Sequence, residues 1–216
     1  MEAILEQIVR SPKLELYSRQ IQSVLYEERK KRERFYKEIT EQQKAEFING
    51  EIIMHSPVRI EHNITSGLLY KLLHTYVQMH HLGFAGIEKI LITLTRNDYE
   101  PDICFWKREK SAAFKPGQMK FPAPDFIAEI ISPSTEKTDR SIKWMDYAAH
   151  GVQEYWITDP ANCTVEQYIL ENETYTLRVK MDSGTVKSQA VQGFDIPVRA
   201  LFDEEENLAA LKSLLP

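Results

Sequence analysis

The sequence predicts a mixed α/β domain, because a strand, a helix and a second strand follow one another between residues 125 and 158. Residues 125–131 are apolar on both faces of a strand and are bounded by prolines, which is typical of a central strand. A helix predicted from Thr138 to His150 joins this strand to a second strand at residues 155–158. A connection of this kind predicts that the two strands are parallel and that the crossover is right-handed.

The rest of the chain has the same mixture of helices and strands. Apolar residues recur at a helical period from Ile60 to Met79, and this helix should end before Gly83. Asn49-Gly50 lies between two short apolar segments, which predicts a hairpin with a type I′ turn. A short C-terminal helix is also expected. Further strands are predicted at residues 84–88, 90–95, 102–106, 164–170 and 175–180.

The first 45 residues are predicted to form a helical extension. Ser11 and Pro12 suit the N-cap and first turn of a helix, and apolar residues then recur at helical spacing. The mixed charges at 27–34 could contact nucleic acid, but we favour a solvated helix with i,i+4 ion pairs. We divide the chain into an extension, an α/β domain and a C-terminal helix or tail, at residues 1–45, 46–202 and 203–216.

The composition excludes several classes of protein. The chain has 216 residues, 43% of them apolar, and a formal net charge of −5, so it is neither disordered nor a uniformly basic nucleic-acid binder. No apolar run approaches the ~18–20 residues that a bilayer crossing needs, and the start lacks the basic region of a secretory signal. Two cysteines, Cys104 and Cys163, are too few for a disulfide framework or a cysteine-based zinc site. We expect a cytoplasmic protein without membrane contact.

Two carboxylates are unusual for the strands in which they occur. Glu129 lies in the middle of a buried strand, where a carboxylate is costly unless it is paired, hydrogen-bonded or bound to a metal ion. Asp102 follows Pro101 and opens another apolar strand. Two carboxylates on neighbouring strands would supply the oxygen ligands that Mg²⁺ prefers.

The next helix can supply a cation to this pair. Lys143 lies 14 residues after Glu129, and a helix that returns over the sheet can place its side chain beside a strand carboxylate. Lys143 could then orient water or stabilise negative charge on a phosphate. The alternative is a simple surface ion pair between Asp139 and Lys143, and the spacing alone leaves both open.

Several motifs occur in a fixed order between residues 46 and 202. They are Glu46–Glu51, Ser56-Pro57, His62, Pro101-Asp102, Pro124-Asp125 with Glu129, Asp139, Lys143, Tyr147 and residues 151–160. In this order and spacing the chain resembles the Uma-type family of restriction-endonuclease-like proteins, within the PD-(D/E)XK nuclease superfamily. Residues 1–45 lie outside the resemblance.

The resemblance implies a restriction-endonuclease-like fold, with a mixed central sheet flanked by helices. It implies that Asp102 and Glu129 hold Mg²⁺ or Mn²⁺. The superfamily places a lysine two residues after the second carboxylate, but this chain has Ile131 there. In the Uma-type pattern the lysine comes from the next helix, which matches Lys143.

Further residues are assigned less specific roles. Glu61, His62, Asp125 and Glu51 are possible accessory groups at the site, although helix capping, a strand start or a solvent-facing position explain them as well. Basic residues after the Asp102 strand could follow a DNA backbone, although a solvated loop is the favoured interpretation. These basic residues are Lys107, Arg108, Lys110, Lys115 and Lys120.

The predicted function is that of a Mg²⁺-dependent endonuclease that hydrolyses phosphodiester bonds of DNA. Asp102 and Glu129 would hold the metal ion and Lys143 would assist the attack by water. A homodimer is expected, because symmetric dimers are the commonest assemblies and would suit cleavage of both strands. The alternative is a catalytically inactive nuclease fold that binds nucleic acid or protein. A two-carboxylate glycoside hydrolase ranks far below both.

Overall fold

The chain folds into two compact units, with the boundary between His55 and Ser56. The computed structural model describes residues 2–40 and 42–215. The hairpin at residues 45–54 therefore belongs to the first unit, although the sequence assigns it to the predicted domain of residues 46–202. In the described ranges no helix is both long enough and apolar enough to span a membrane.

The first unit consists of two helices and a hairpin. Helices α1 (Glu2–Arg10) and α2 (Leu14–Glu38) precede strands β1 (Ala45–Ile48) and β2 (Glu51–Met54), which pair antiparallel. The turn residues Asn49 and Gly50 have φ values of 51° and 84°, which confirms the type I′ turn. The predicted start of α2 is two residues too early, because Ser11 forms a turn and its side chain accepts a hydrogen bond from the Lys13 backbone.

The second unit contains the predicted α/β elements. Its strands in chain order are β3 (Gly83–Ile87), β4 (Leu91–Thr93), β5 (Asp98–Tyr99), β6 (Ile103–Lys107), β7 (Lys120–Phe121), β8 (Phe126–Ile130), β9 (Glu154–Asp159), β10 (Thr164–Glu171), β11 (Thr174–Met181), β12 (Thr185–Lys187) and β13 (Asp195–Pro197). Its helices are α3 (Ile60–Met79), α4 (Arg108–Ser111), α5 (Glu136–Thr138), a π-helical turn (Asp139–Lys143), α6 (Trp144–Ala149), a 3₁₀ turn (Val198–Leu201) and α7 (Glu204–Leu214).

A six-stranded mixed sheet forms the centre of this unit. Its strand order is β11-β10-β9-β8-β6-β3. Strands β8 and β9 are parallel, as the strand–helix–strand pattern predicted, and the other neighbours are antiparallel. Smaller pairings join β4 to β5 and β7, and β12 to β13. A helix-flanked mixed sheet is therefore confirmed.

The two faces of β8 have different surroundings, as a period of two requires. Phe126, Ala128 and Ile130 belong to the apolar core, together with residues of α3 and α7. Glu129 lies on the opposite face, where α5, the π-helical turn and α6 cross over between β8 and β9. The fold thus brings a helix that carries polar side chains to the face of β8 that carries the buried Glu129.

A second buried carboxylate is fixed entirely by hydrogen bonds. Glu154, fully buried at the start of β9, accepts bonds from Trp156 Nε1 and Gln167 Nε2 through Oε1. Its Oε2 accepts bonds from Ser188 Oγ and from the backbone N–H groups of residues 189 and 190. This carboxylate joins the central sheet to the segment before β13.

Glu154→Gln should destabilise the protein by about 3 kcal/mol, because the amide would direct N–H groups at donors that need an acceptor. The free energy of unfolding from urea denaturation measures this loss. Glu171→Gln, at an exposed position at the end of β10, is the matched control and should change stability by less than ~0.5 kcal/mol. Equal effects of the two substitutions would contradict the assigned role of Glu154.

Candidate active site

Asp102 and Glu129 lie opposite each other where β6 and β8 begin to separate. The register pairs Ile103 with Ala128, so the next residues outward are Asp102 and Glu129. Both are buried, with 5% and 2% of their surface exposed. Like charges directly across an antiparallel pair are destabilising, so this arrangement requires compensation from other groups.

The first compensation comes from the backbone of the two strands. The Asp102 backbone N–H donates to Glu129 Oε2 at 3.2 Å, and the Ile130 N–H donates to Asp102 Oδ2 at 2.9 Å. Each carboxylate thus accepts a bond from the opposite strand, in place of a regular ladder bond. These reciprocal bonds fix the two side chains side by side at the ends of β6 and β8.

The second compensation comes from the crossover helix. Lys143 Nζ donates to Glu129 Oε1 at 3.0 Å, and the Tyr147 hydroxyl donates to the same oxygen at 2.9 Å. Lys143 also contacts Asp139 Oδ1 at 3.2 Å. Since Lys143 is only 3% exposed, it is a buried cation shared by two carboxylates and not part of a surface pair.

The π-helical turn explains which residues of the crossover face the sheet. It covers residues 139–143, and α6 continues from it. Lys143 and Tyr147 are four residues apart and reach the same oxygen, whereas Asp146 accepts hydrogen bonds from Asn97 and Tyr99. Single π-helical turns are frequent at functional sites, where they change the direction of side chains.

Helix α3 contributes a histidine to the other carboxylate. His62 is 7% exposed, and its Nε2 lies 3.1 Å from Asp102 Oδ2. Ser66, one turn later, places its Oγ 3.5 Å from His62 Nδ1. Of the predicted accessory residues, His62 is therefore placed directly against the carboxylate pair.

The negative charge of the site acts on neighbouring side chains. Burial raises the pKa of the Cys104 thiol well above its usual value, and the charge of Glu129 raises it further. Burial likewise raises the pKa of Tyr155, to which Asp139 and Glu129 add. Both groups therefore stay protonated at neutral pH, and neither can act there as an anionic nucleophile.

Comparison with known protein families identifies the family to which this chain belongs. Residues 26–199 match Uma2, a family described as "Putative restriction endonuclease". The chain belongs to the Uma2 family. The match begins 20 residues before the resemblance inferred from the motifs, so it includes half of α2 as well as the α/β domain.

A solved structure supports the same fold for this Uma2 protein. It is described as "a putative nuclease belonging to DUF820 from Anabaena variabilis ATCC 29413", with a TM-score of 0.67 and 21% sequence identity. The similarity covers 78% of this chain and 94% of that chain. No curated protein matches the sequence significantly. The restriction-endonuclease-like fold is thus confirmed.

The donor set of the Uma2 site fits a hydrated divalent cation. Mg²⁺ is commonly held by one or two carboxylates and keeps several waters. Asp102 and Glu129 supply carboxylate oxygens that the backbone bonds already hold together. Among the described residues no group of three or more His, Cys, Asp or Glu side chains has the arrangement of a metal site.

Asp125, another of the possible accessory residues, lies apart from the carboxylate pair. It lies four residues before Glu129, at the other end of β8, and its carboxylate accepts from the Lys107 N–H at 2.8 Å and contacts Lys110 Nζ at 3.0 Å. The period of the strand places Asp125 on the same face as Glu129, but about 13 Å away along the strand. Its role is to anchor the start of α4, not to join the Asp102–Glu129 pair.

Some residues of the basic stretch between Lys107 and Lys120 contact other residues of the fold. Lys107 Nζ donates to Gln153 at 2.6 Å, and Lys110 binds both Asp125 and the Ala123 carbonyl. These two lysines therefore have structural partners. Contact with a nucleic-acid backbone stays a prediction for the whole stretch, which also includes Arg108, Lys115 and Lys120.

The two remaining accessory residues are exposed. Glu61 lies in the first turn of α3, where a carboxylate interacts favourably with the helix N-terminus. Glu51 lies on β2 in the first unit, where its carboxylate is 3.6 Å from Lys31 Nζ. Their participation in the site stays a prediction. Tyr147 is the residue whose role was missed, although its spacing of four from Lys143 already placed it on the same helix face.

Glu129 and Lys143 should be energetically coupled when no metal ion is present. In EDTA, Glu129→Gln and Lys143→Met should each cost about 3 kcal/mol, since each leaves its buried partner uncompensated. The double variant should lose at least ~1.5 kcal/mol less than the sum, as a double-mutant cycle of urea denaturation would measure.

The matched control cycle uses Lys187 and Asp195, an exposed pair at 3.5 Å. Its coupling should stay below ~0.5 kcal/mol. If the losses at Glu129 and Lys143 are simply additive, the two side chains do not act as a buried pair.

Proposed function

We propose that this Uma2 protein is a divalent-metal-dependent endonuclease that acts on DNA. The observation that supports the proposal most strongly is the opposed carboxylate pair, Asp102 and Glu129, with the buried Lys143 on the second member. The family description supports hydrolysis of nucleic acid. A fold that holds two like charges together at a strand end incurs an energetic cost, which a bound cation would offset.

Asp102 and Glu129 would hold Mg²⁺ or Mn²⁺. When bound, such a cation polarises a phosphoryl oxygen and promotes ionisation of water. His62, against Asp102 Oδ2, would keep that carboxylate in one orientation, as hydrogen-bonded neighbours of metal ligands do. The backbone bond from Asp102 to Glu129 Oε2 would keep both carboxylates directed at one point.

Lys143 would act on the substrate side of Glu129. Its ammonium group is held at Glu129 Oε1 and Asp139 Oδ1, so its position is set before a substrate binds. A fixed ammonium group can orient the attacking water or donate to a phosphate oxygen as negative charge develops. In the hydrolysis, the water oxygen bonds to phosphorus and the phosphorus–oxygen bond to the leaving nucleotide breaks.

DNA is the proposed substrate despite the net charge of −5. Cations bound at the carboxylate pair would reverse the local sign, and phosphate contacts can come from a few local basic groups. The basic residues proposed for this role are Lys107, Arg108, Lys110, Lys115 and Lys120. A homodimer is the proposed assembly, since two copies would present two sites to a duplex.

A non-catalytic nuclease fold is the second proposal, and one observation favours it. Glu129 accepts bonds from Lys143, Tyr147 and the Asp102 backbone, so protein groups already stabilise its buried charge. A module that only binds nucleic acid should keep its affinity for DNA in EDTA and should tolerate Glu129→Gln. Measuring DNA binding in EDTA separates the two proposals.

The endonuclease should nick supercoiled plasmid DNA with Mg²⁺ or Mn²⁺ and not with EDTA. Asp102→Asn and Glu129→Gln should each lower the nicking rate by at least about 10³-fold, because each removes a proposed ligand of the cation. Lys143→Met should lower it by about 10²-fold or more. Agarose-gel assays of nicked and linear product measure these rates.

Asp195→Asn is the control, since this exposed aspartate pairs with Lys187 on the β12–β13 hairpin. It should nick at the rate of the unaltered protein. Nicking that persists in EDTA, or that survives in Glu129→Gln at an unchanged rate, would contradict the proposal.

A further inference from the structure

The two N-terminal helices expose an unusual amount of apolar surface. Among the residues that the structure describes, twenty-one large apolar side chains are exposed, and nine of them lie between residues 4 and 26. Their exposed fractions range from 36% to 66%. Contiguous exposed apolar surface of this kind marks an interaction site in most proteins.

Four of the exposed apolar residues of α2 form a stripe over the first half of the helix. Leu14, Tyr17, Ile21 and Val24 are spaced by three and four residues, which is the spacing of a coiled-coil seam. The same spacing continues through residues 28 and 31, which are charged, to the buried Phe35.

The last turns of α2 pack against the β1–β2 hairpin. Phe35 packs on Phe47 with ring centroids 5.9 Å apart, and Lys31 donates to the Gly50 carbonyl. The Glu28 side chain lies against Gly50. The hairpin therefore contacts the last turns of α2 and covers Phe35, whereas the apolar stripe over the first turns is exposed.

Helix α1 covers the first half only in part. A groove of about 400 Å³ runs between the two helices and is lined by Ile4, Ile8, Tyr17 and Ile21 together with polar residues. Two packed helices leave the outer edges of their apolar faces exposed, whereas four helices can enclose a common core. Side chains of a further helix pair could occupy the groove.

The charges of this segment favour a partner with the same surface. Residues 2–26 contain three acidic and three basic residues, so the segment is neutral while the chain carries −5. A neutral apolar surface gives no attraction for DNA or for an anionic membrane. It also gives no net repulsion between two copies of itself. Residues 1–25 lie outside the match to the Uma2 family, so most of this surface is not part of the matched region.

We propose that α1 and the first half of α2 form a dimer interface, in which two helix pairs assemble into a four-helix bundle. The nine side chains are 36–66% exposed and so expose on the order of 100 Å² each, or roughly 900 Å² per copy. An interface of standard size buries about 800 Å² per partner, of which somewhat more than half is apolar, so burial of about half of this surface would supply the apolar content of such an interface. The inference does not rest on nuclease activity.

Sedimentation velocity of the full chain, over a micromolar concentration range, tests the interface. The protein should sediment as a dimer of twice 25.2 kDa. The double variant Ile21→Glu with Val24→Glu should sediment as a monomer, since it places four charges in the bundle core. Leu208→Glu, at an equally exposed position on α7, should remain a dimer.

A milder variant controls for the possibility that the glutamate substitutions unfold the helices. Ile21→Ala with Val24→Ala keeps high helix propensity and should weaken the dimer by at least about tenfold in Kd. Circular dichroism should show unchanged helix content in both double variants. A monomeric unaltered protein would overturn the proposal, and so would a dimer that survives the double glutamate variant with its helices intact, or an unchanged Kd in the double alanine variant.

Discussion

The structure depends on how two like charges are held together at the end of a sheet. Asp102 and Glu129 are cross-strand neighbours, buried, and bonded to each other's strand through backbone N–H groups. Electrostatic repulsion between them is an energetic cost that a packed apolar pair would not have. The polar groups that surround the pair offset this cost. The chemistry proposed for the protein follows from the same arrangement.

Each layer of the fold contributes groups that compensate the charges of the two carboxylates. The sheet supplies the backbone donors, α3 supplies His62, and the crossover helix supplies Lys143 and Tyr147. The parallel pairing of β8 with β9 requires that crossover helix, so topology and site chemistry are linked. The Uma2 protein can therefore keep a lysine at Glu129 although Ile131 occupies the usual position of that residue.

Much of the central sheet and of the carboxylate site could be predicted from the sequence. The features that could not be predicted have identifiable physical reasons. The buried strand at 126–130 and its parallel partner followed from apolar runs, and Glu129 was identified as an acid that such a strand does not tolerate alone. Period-two reasoning gives the face of a side chain but not its contacts, so it placed Asp125 on the face of Glu129 without showing that Asp125 bonds to Lys107 at the other end of the strand. Tyr147 could have been predicted from its spacing of four from Lys143, whereas the π-helical turn at residues 139–143 has no residue pattern that specifies it.

Anomalous diffraction from crystals soaked in Mn²⁺ tests the central claim most directly, because it locates the cation without relying on turnover. The account predicts an anomalous peak about 2.0–2.3 Å from carboxylate oxygens of both Asp102 and Glu129, with water completing the coordination. It predicts that Glu129→Gln abolishes the peak. Undisturbed bonds between the two strands with no peak beside them, in crystals that bind Mn²⁺ elsewhere, would contradict it.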